Sequence, residues 1–138
     1  MKKTSVLIFA ILFSAIAFSQ NEEVQSKKSH IDVYYFHRTQ RCQTCLSIEE
    51  NTKNTLDVYF EDEQKDGTIN FISIDYEEGP EKEVIEKYKA DGPALYLTKV
   101  KKGKETNKNL TDFAFDNSLH NPEKFNNGLR DRINEMLR

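Results

Sequence analysis

The chain has little of several things, and each shortage closes off a class of protein. Two cysteines in 138 residues cannot supply the four ligands of a structural zinc site. The two methionines, Met1 and Met136, stand at opposite ends of the chain, so a thioether-rich copper site is absent. There is no excess of basic residues: the formal net charge is -3. Lys99, Lys101, Lys102 and Lys104 form the only dense basic cluster, Gly103 marks a turn within it, and a solvated hairpin tip accounts for it without nucleic acid. Internal repeats and low-complexity blocks are missing. The longest apolar run, Val6 to Phe18, is about 13 residues, short of the roughly 20 that span a hydrocarbon core.

That run is informative in another way. Lys2 and Lys3 precede it, and Ala17-Phe18-Ser19 follows with small residues where a signal peptidase cleaves, so residues 1–19 are expected to be a signal peptide. No cysteine follows for lipid attachment. Removing the segment takes away two lysines and no acids, moving the net charge from -3 to -5. A polar, aperiodic stretch at 20–29 is expected to be a flexible linker. Residues 30–138, about 110 residues, are enough for one domain with a core. The expected location is periplasmic or secreted, where disulfides persist.

Hydrophobic periodicity divides that domain. Ile31 to Phe36 is a β-branched and aromatic run, which predicts a buried strand. After the polar stretch His37 to Arg41, apolar positions at Leu46, Thr52, Leu56, Tyr59 and Phe60 predict a helix ending before Asp66-Gly67. Thr68 to Asp75 alternates and predicts a second strand. A second helix is expected from Pro80 to about Ala90. Ala94 to Thr98 predicts a third strand, turned at Lys101 to Lys104 into a fourth that runs toward Leu110. Asn121 is expected to cap a last helix with Pro122 in its first turn and Phe125, Leu129, Ile133 and Leu137 on one stripe. The order β-α-β-α-β-β-α makes an α/β fold with a parallel βαβ unit, a hairpin and a covering helix.

Cys42-Gln43-Thr44-Cys45 falls at the junction of the first strand and first helix, Gly92-Pro93 opens the third strand, and a Lys-Gly-Lys hairpin follows it. In this order the chain resembles the thioredoxin-like superfamily over residues 30–138. The resemblance implies a central mixed four-stranded sheet flanked by helices. Tyr35-Phe36-His37 ahead of Arg41-Cys42-Gln43-Thr44-Cys45 is similar to small exported thioredoxin-like proteins of the ArsF type, a label that associates some members with nitrophenyl-compound reduction. The resemblance also implies that Pro93 is cis, faces the cysteine pair and presents backbone to an extended substrate. Three positions depart from thioredoxin itself: Arg41 stands where it has tryptophan, Gln43-Thr44 where it has Gly-Pro, and Phe36 where it has a buried acid.

The chemistry of the pair follows from its place. Disulfide exchange needs a thiolate, and the unpaired N–H groups at a helix N-terminus lower a thiol's pKa from about 8.5 into the range of about 3.5 to 7.5. Cys42 is the expected nucleophile, and Cys45, one turn on, the resolving thiol. Arg41 adds positive charge if it turns toward the sulfur, and His37, five residues before Cys42, is a candidate base or cationic neighbour. The acid pairs, Glu49-Glu50 among them, are explained by solvated helix faces and loops.

The expected function is thiol–disulfide exchange with protein thiols or disulfides, by a monomer that needs no cofactor or bound metal and is served by an electron partner outside the cytoplasm, membrane-bound or soluble. Two other readings stand beside it. One is copper or zinc binding by the two thiols with His37 as a third ligand; the other is a non-catalytic binding module in which the bond is a staple. A bond between residues three apart closes so small a loop that it stabilises less than the roughly 3 kcal/mol of a 15-residue loop, which favours a working pair.

Overall fold

The computed structural model describes residues 28–138. The expected signal peptide at 1–19 and nearly all of the expected linker lie outside the described residues. Within them the elements are β1 (His30–His37), α1 (Gln43–Tyr59), α2 (Glu61–Lys65), β2 (Ile69–Asp75), α3 (Lys82–Tyr88), β3 (Ala94–Lys101), β4 (Lys104–Asn109), α4 (Thr111–Asn117) and α5 (Pro122–Leu137). The fold is mixed α/β: one four-stranded sheet in the order β2-β1-β3-β4, flanked by five helices. β1 and β2 are parallel, and β3 runs antiparallel to both β1 and β4. No described helix is long and apolar enough to cross a membrane.

Strand pleating divides β1 between two faces. Ile31, Val33 and Tyr35 point into the main core with Ile48, Leu56, Leu95, Leu97, Phe125, Leu129 and Ile133. Tyr34 and Phe36 point the other way, onto Tyr88 of α3 at ring-centroid distances of 5.1 and 5.3 Å. α1 and α5 therefore cover one side of the sheet together, and short α3 covers the other.

The helices differ from the sequence expectation in instructive ways. The buried face of α1 is Cys45, Ile48, Thr52, Thr55 and Leu56, whereas Leu46 is 51% exposed. Neighbours on a helix are about 100° apart, so seating Cys45 in the core turns Leu46 out. The expected single helix to residue 65 breaks at Phe60, whose backbone is non-helical (φ -138°, ψ 29°). Phe60 is buried while Tyr59 is exposed. α3 begins at Lys82, not at Pro80, and ends when Lys89 turns left-handed at φ 50°.

α4 has no counterpart in the sequence reading. It lies against α5, where the Phe113 ring stacks on Phe125 at 5.5 Å and sits so close to Gly128 that a β-carbon there would come within 2.7 Å of it. Asn121 occupies the N-cap position of α5 with Pro122 beside it, but its side chain makes no capping hydrogen bond. The buried stripe of α5 is Phe125, Leu129, Ile133 and Met136. Leu137 is only partly buried against the core, because Met136 takes the seven-residue return from Leu129.

Candidate functional site around the Cys42–Cys45 disulfide

β1 ends at His37, and the first two residues of the loop that leads to Cys42 are held by the residues at the end of β2. The Thr39 hydroxyl donates to Asp75 at 2.8 Å, the Thr39 N–H donates to Glu77 at 3.1 Å, and Arg38 Nε donates to the Tyr76 hydroxyl at 3.1 Å. Desolvation works against the Asp75 carboxylate, yet donation from Thr39 and from the Glu77 and Glu78 N–H groups holds it below the usual range. The start of the loop is thus tied to the end of β2.

Cys42 is the N-cap residue of α1, with extended backbone (φ -76°, ψ 165°). It is disulfide-bonded to Cys45, Cα to Cα 5.1 Å. Its Sγ accepts the Cys45 N–H at 3.2 Å, so the sulfur takes the place a serine or aspartate oxygen takes at an ordinary helix start. There is no acid in the first turn of α1, and the partial positive charge of a 17-residue helix faces Cys42 unopposed there. The two sulfurs are unequal in access: Cys42 is exposed and Cys45 is buried, at 2%.

Tyr35 secures the pair from below. Its buried hydroxyl donates to the Cys45 carbonyl at 2.7 Å, tying β1 to the first turn of α1. Burial pushes this phenol up to about 12, with Arg41 pulling the other way. The sign of the linkage follows. A phenol that ionises at pH 10 unfolded and near 12 folded contributes stability that is intact below pH 10 and lost as pH rises through 12. Urea unfolding between pH 9 and 12 is expected to show a loss of roughly 2–3 kcal/mol from this group. Tyr35→Phe removes that share of the slope and leaves the part that comes from Tyr34, which burial also raises to about 12.

Arg41 and His37, both singled out in the sequence, come together. Arg41 Nη2 lies 2.7 Å from His37 Nε2, and His37 Nδ1 lies 3.0 Å from the Arg38 carbonyl. A guanidinium only donates, so Nε2 accepts and Nδ1 carries the proton. His37 is buried with both ring nitrogens engaged, and neither partner is a sulfur. The other arm of Arg41, Nη1, is ion-paired with Glu49, which also holds Lys53 at 2.8 Å. Glu50 is exposed as expected of a solvated acid pair, but the Glu49 side chain is only 12% exposed. Sequence reading left Glu49 on a solvated helix face. Its signal was there: it lies four positions after Cys45, on the same helix face.

Pro93 keeps its position but not its implied geometry. Phe36 pairs with Ala94, so Pro93 lies one step further along, at the end of the sheet from which β1 leads to Cys42. The described residues contain no cis peptide bond, so the Gly92-Pro93 bond is trans, the intrinsically favoured isomer by about 0.5–1 kcal/mol. Phe36, the position the resemblance sets against a buried acid, is fully buried among Tyr34, Tyr88 and Tyr96 and has no ionisable group. Among the described residues no group of three or more His, Cys, Asp and Glu side chains is placed to hold a metal ion.

These features define a mixed α/β domain with a CXXC disulfide at the start of its longest helix. No protein-family profile matches the chain, and no curated protein does. Among solved structures it is similar to one titled "Structure of a malarial protein", at 15% identity and a TM-score of 0.41, covering 65% of this chain and 98% of that chain. A likeness that low defines no shared fold and carries nothing about chemistry.

Proposed function

We propose that the chain is an exported thiol–disulfide oxidoreductase of thioredoxin-like fold, with Cys42 as nucleophile and Cys45 as resolving thiol. The observation that carries the reading is the asymmetry of the pair: an exposed Cys42 at a helix N-cap, accepting an N–H from its buried partner Cys45. The sheet order β2-β1-β3-β4 with parallel β1 and β2 and an antiparallel hairpin supports the fold. With α2 and α4 added, the order of elements along the chain is the β-α-β-α-β-β-α on which the resemblance rests.

In the reducing direction the Cys42 thiolate attacks a substrate disulfide, forms a mixed disulfide and expels one substrate thiolate. The Cys45 thiolate then attacks Cys42 Sγ and expels the second, so the substrate gains two electrons and the protein keeps the disulfide seen here. The oxidising direction is the reverse, and a second dithiol or disulfide protein restores the starting state. Pro93, at the same end of the sheet, is the proposed backbone contact for an extended substrate. Arg41, the expected tuner, is held beside the pair by Glu49 and His37.

The test is the reduction potential of the pair, by equilibration of the mature protein in glutathione or dithiothreitol buffers, acid quench, alkylation and mass analysis. A two-electron transition between about -270 and -120 mV is expected, the span of thioredoxin to DsbA. A bond that resists reduction below about -300 mV, or metal co-purifying with the dithiol, replaces this reading with a structural or metal-binding one.

A further inference from the structure

Arg41 is not free to act on Cys42. Two of its three guanidinium nitrogens are taken, Nη1 by Glu49 of α1 and Nη2 by His37 of β1. The Arg41 and Glu49 side chains are 24% and 12% exposed, so this is not the solvated surface pair that contributes little. The clasp joins the residue before the exposed cysteine to the helix turn that follows the buried one. We propose that Glu49 is a positioning residue for exchange at Cys42–Cys45: it holds Arg41 against α1, neutralises its charge, and so keeps the pair more reducing than the helix terminus and a free Arg41 would make it. The inference rests on the redox reading above.

The sign comes from which form of the pair is charged. A positive neighbour stabilises the Cys42 thiolate, hence the reduced state, and stabilising the reduced state makes a disulfide more oxidising. A negative neighbour does the reverse. Glu49 and Arg41 act as a near-neutral unit while they are paired, leaving the helix N-terminus as the main uncompensated field at Cys42. The other charged or titratable groups around the clasp are Lys53 on α1, Tyr35 and His37 on β1, and Asp75 of β2, the register partner of His37.

Opposite changes at the two ends of the clasp are therefore expected to move the pair in opposite directions. In Glu49→Gln the Arg41 charge is unopposed: Cys42 thiolate formation, followed by absorbance near 240 nm, shifts to lower pH. The equilibrium constant for reduction by glutathione rises about three- to tenfold, the tenfold end corresponding to about 30 mV. In Arg41→Gln the Glu49 charge keeps only the half-exposed Lys53 as its partner, and both quantities move the other way by a smaller amount. The double variant lies near wild type, and Glu49→Asp, which keeps the charge, stays within about twofold of it.

A merely structural role would alter thermal unfolding but leave the potential and the thiolate titration where they were. If the wild-type pair cycles and Glu49→Gln leaves both unchanged, the inference fails and the redox reading stands. Should Glu49→Gln not fold, an unchanged potential in Arg41→Gln overturns it equally. A wild-type pair that does not cycle in any thiol buffer overturns both.

Discussion

A Cys42→Ser protein is expected to lose thiol–disulfide exchange altogether, while Cys45→Ser stops one step later and accumulates a mixed disulfide with its partner. The difference follows from access. Cys42 is exposed at the N-cap of α1 and Cys45 is buried at 2%, so an incoming sulfur meets Cys42 first. A serine hydroxyl is no substitute, because exchange depends on a thiolate and an unactivated alcohol does not ionise in this range. For Cys42→Ser, turnover of a model disulfide substrate is expected to fall by at least about a thousandfold, the scale seen when a covalent nucleophile is removed. In Cys45→Ser the first attack is retained and resolution fails, so non-reducing electrophoresis after mixing with a scrambled disulfide protein shows a covalent adduct at Cys42. Adducts forming at Cys45 in Cys42→Ser, and none in Cys45→Ser, would reverse the assigned roles.

The largest stability effect is expected at Phe125. This residue is fully buried on the inner stripe of α5 and stacks on Phe113, so it joins α4 and α5 to the core that also contains Ile48 and Leu56 of α1. Phe125→Ala removes a ring that neighbours on three sides cannot follow, at a cost of about 3–5 kcal/mol. Against a total of roughly 5–15 kcal/mol for a domain, that leaves the protein marginal. The urea midpoint is expected to fall steeply with the slope unchanged. Phe115→Ala is the control. Only two residues beyond Phe113 on α4, Phe115 is 37% exposed, and its loss is expected to cost under about 1 kcal/mol. Equal effects at the two positions would mean that α4 does not sit on α5 as described.

The pair Phe113 and Phe115 also shows where pattern reading stops. Their i, i+2 spacing in a run after β4 gives no helical periodicity. Packing decided otherwise: the segment coils as α4, Phe113 goes in against Gly128 and Phe125, and Phe115 turns outward. The face of α1 was misjudged for a related reason. Leu46 and Cys45 are adjacent, either could begin an apolar stripe, and the core accepted the thiol and exposed the leucine.

By itself the sequence determined the strands, the hairpin, the long final helix and the location of Cys42 and Cys45 at the first strand-to-helix junction. Those features rest on local physics: period-2 and period-3.6 alternation, turn residues, and a spacing of three that puts two thiols on one helical turn. Only the tertiary structure decided how deeply Cys45 is buried, the trans bond at Pro93 and the clasp of Arg41 by Glu49 and His37. Each depends on how a loop returns to a helix or a strand end meets its neighbour. Residues 37, 41 and 49 belong to a strand, a loop and a helix, and no periodicity joins them. Charge and shape brought them together once the sheet had fixed where β1 ends and α1 begins.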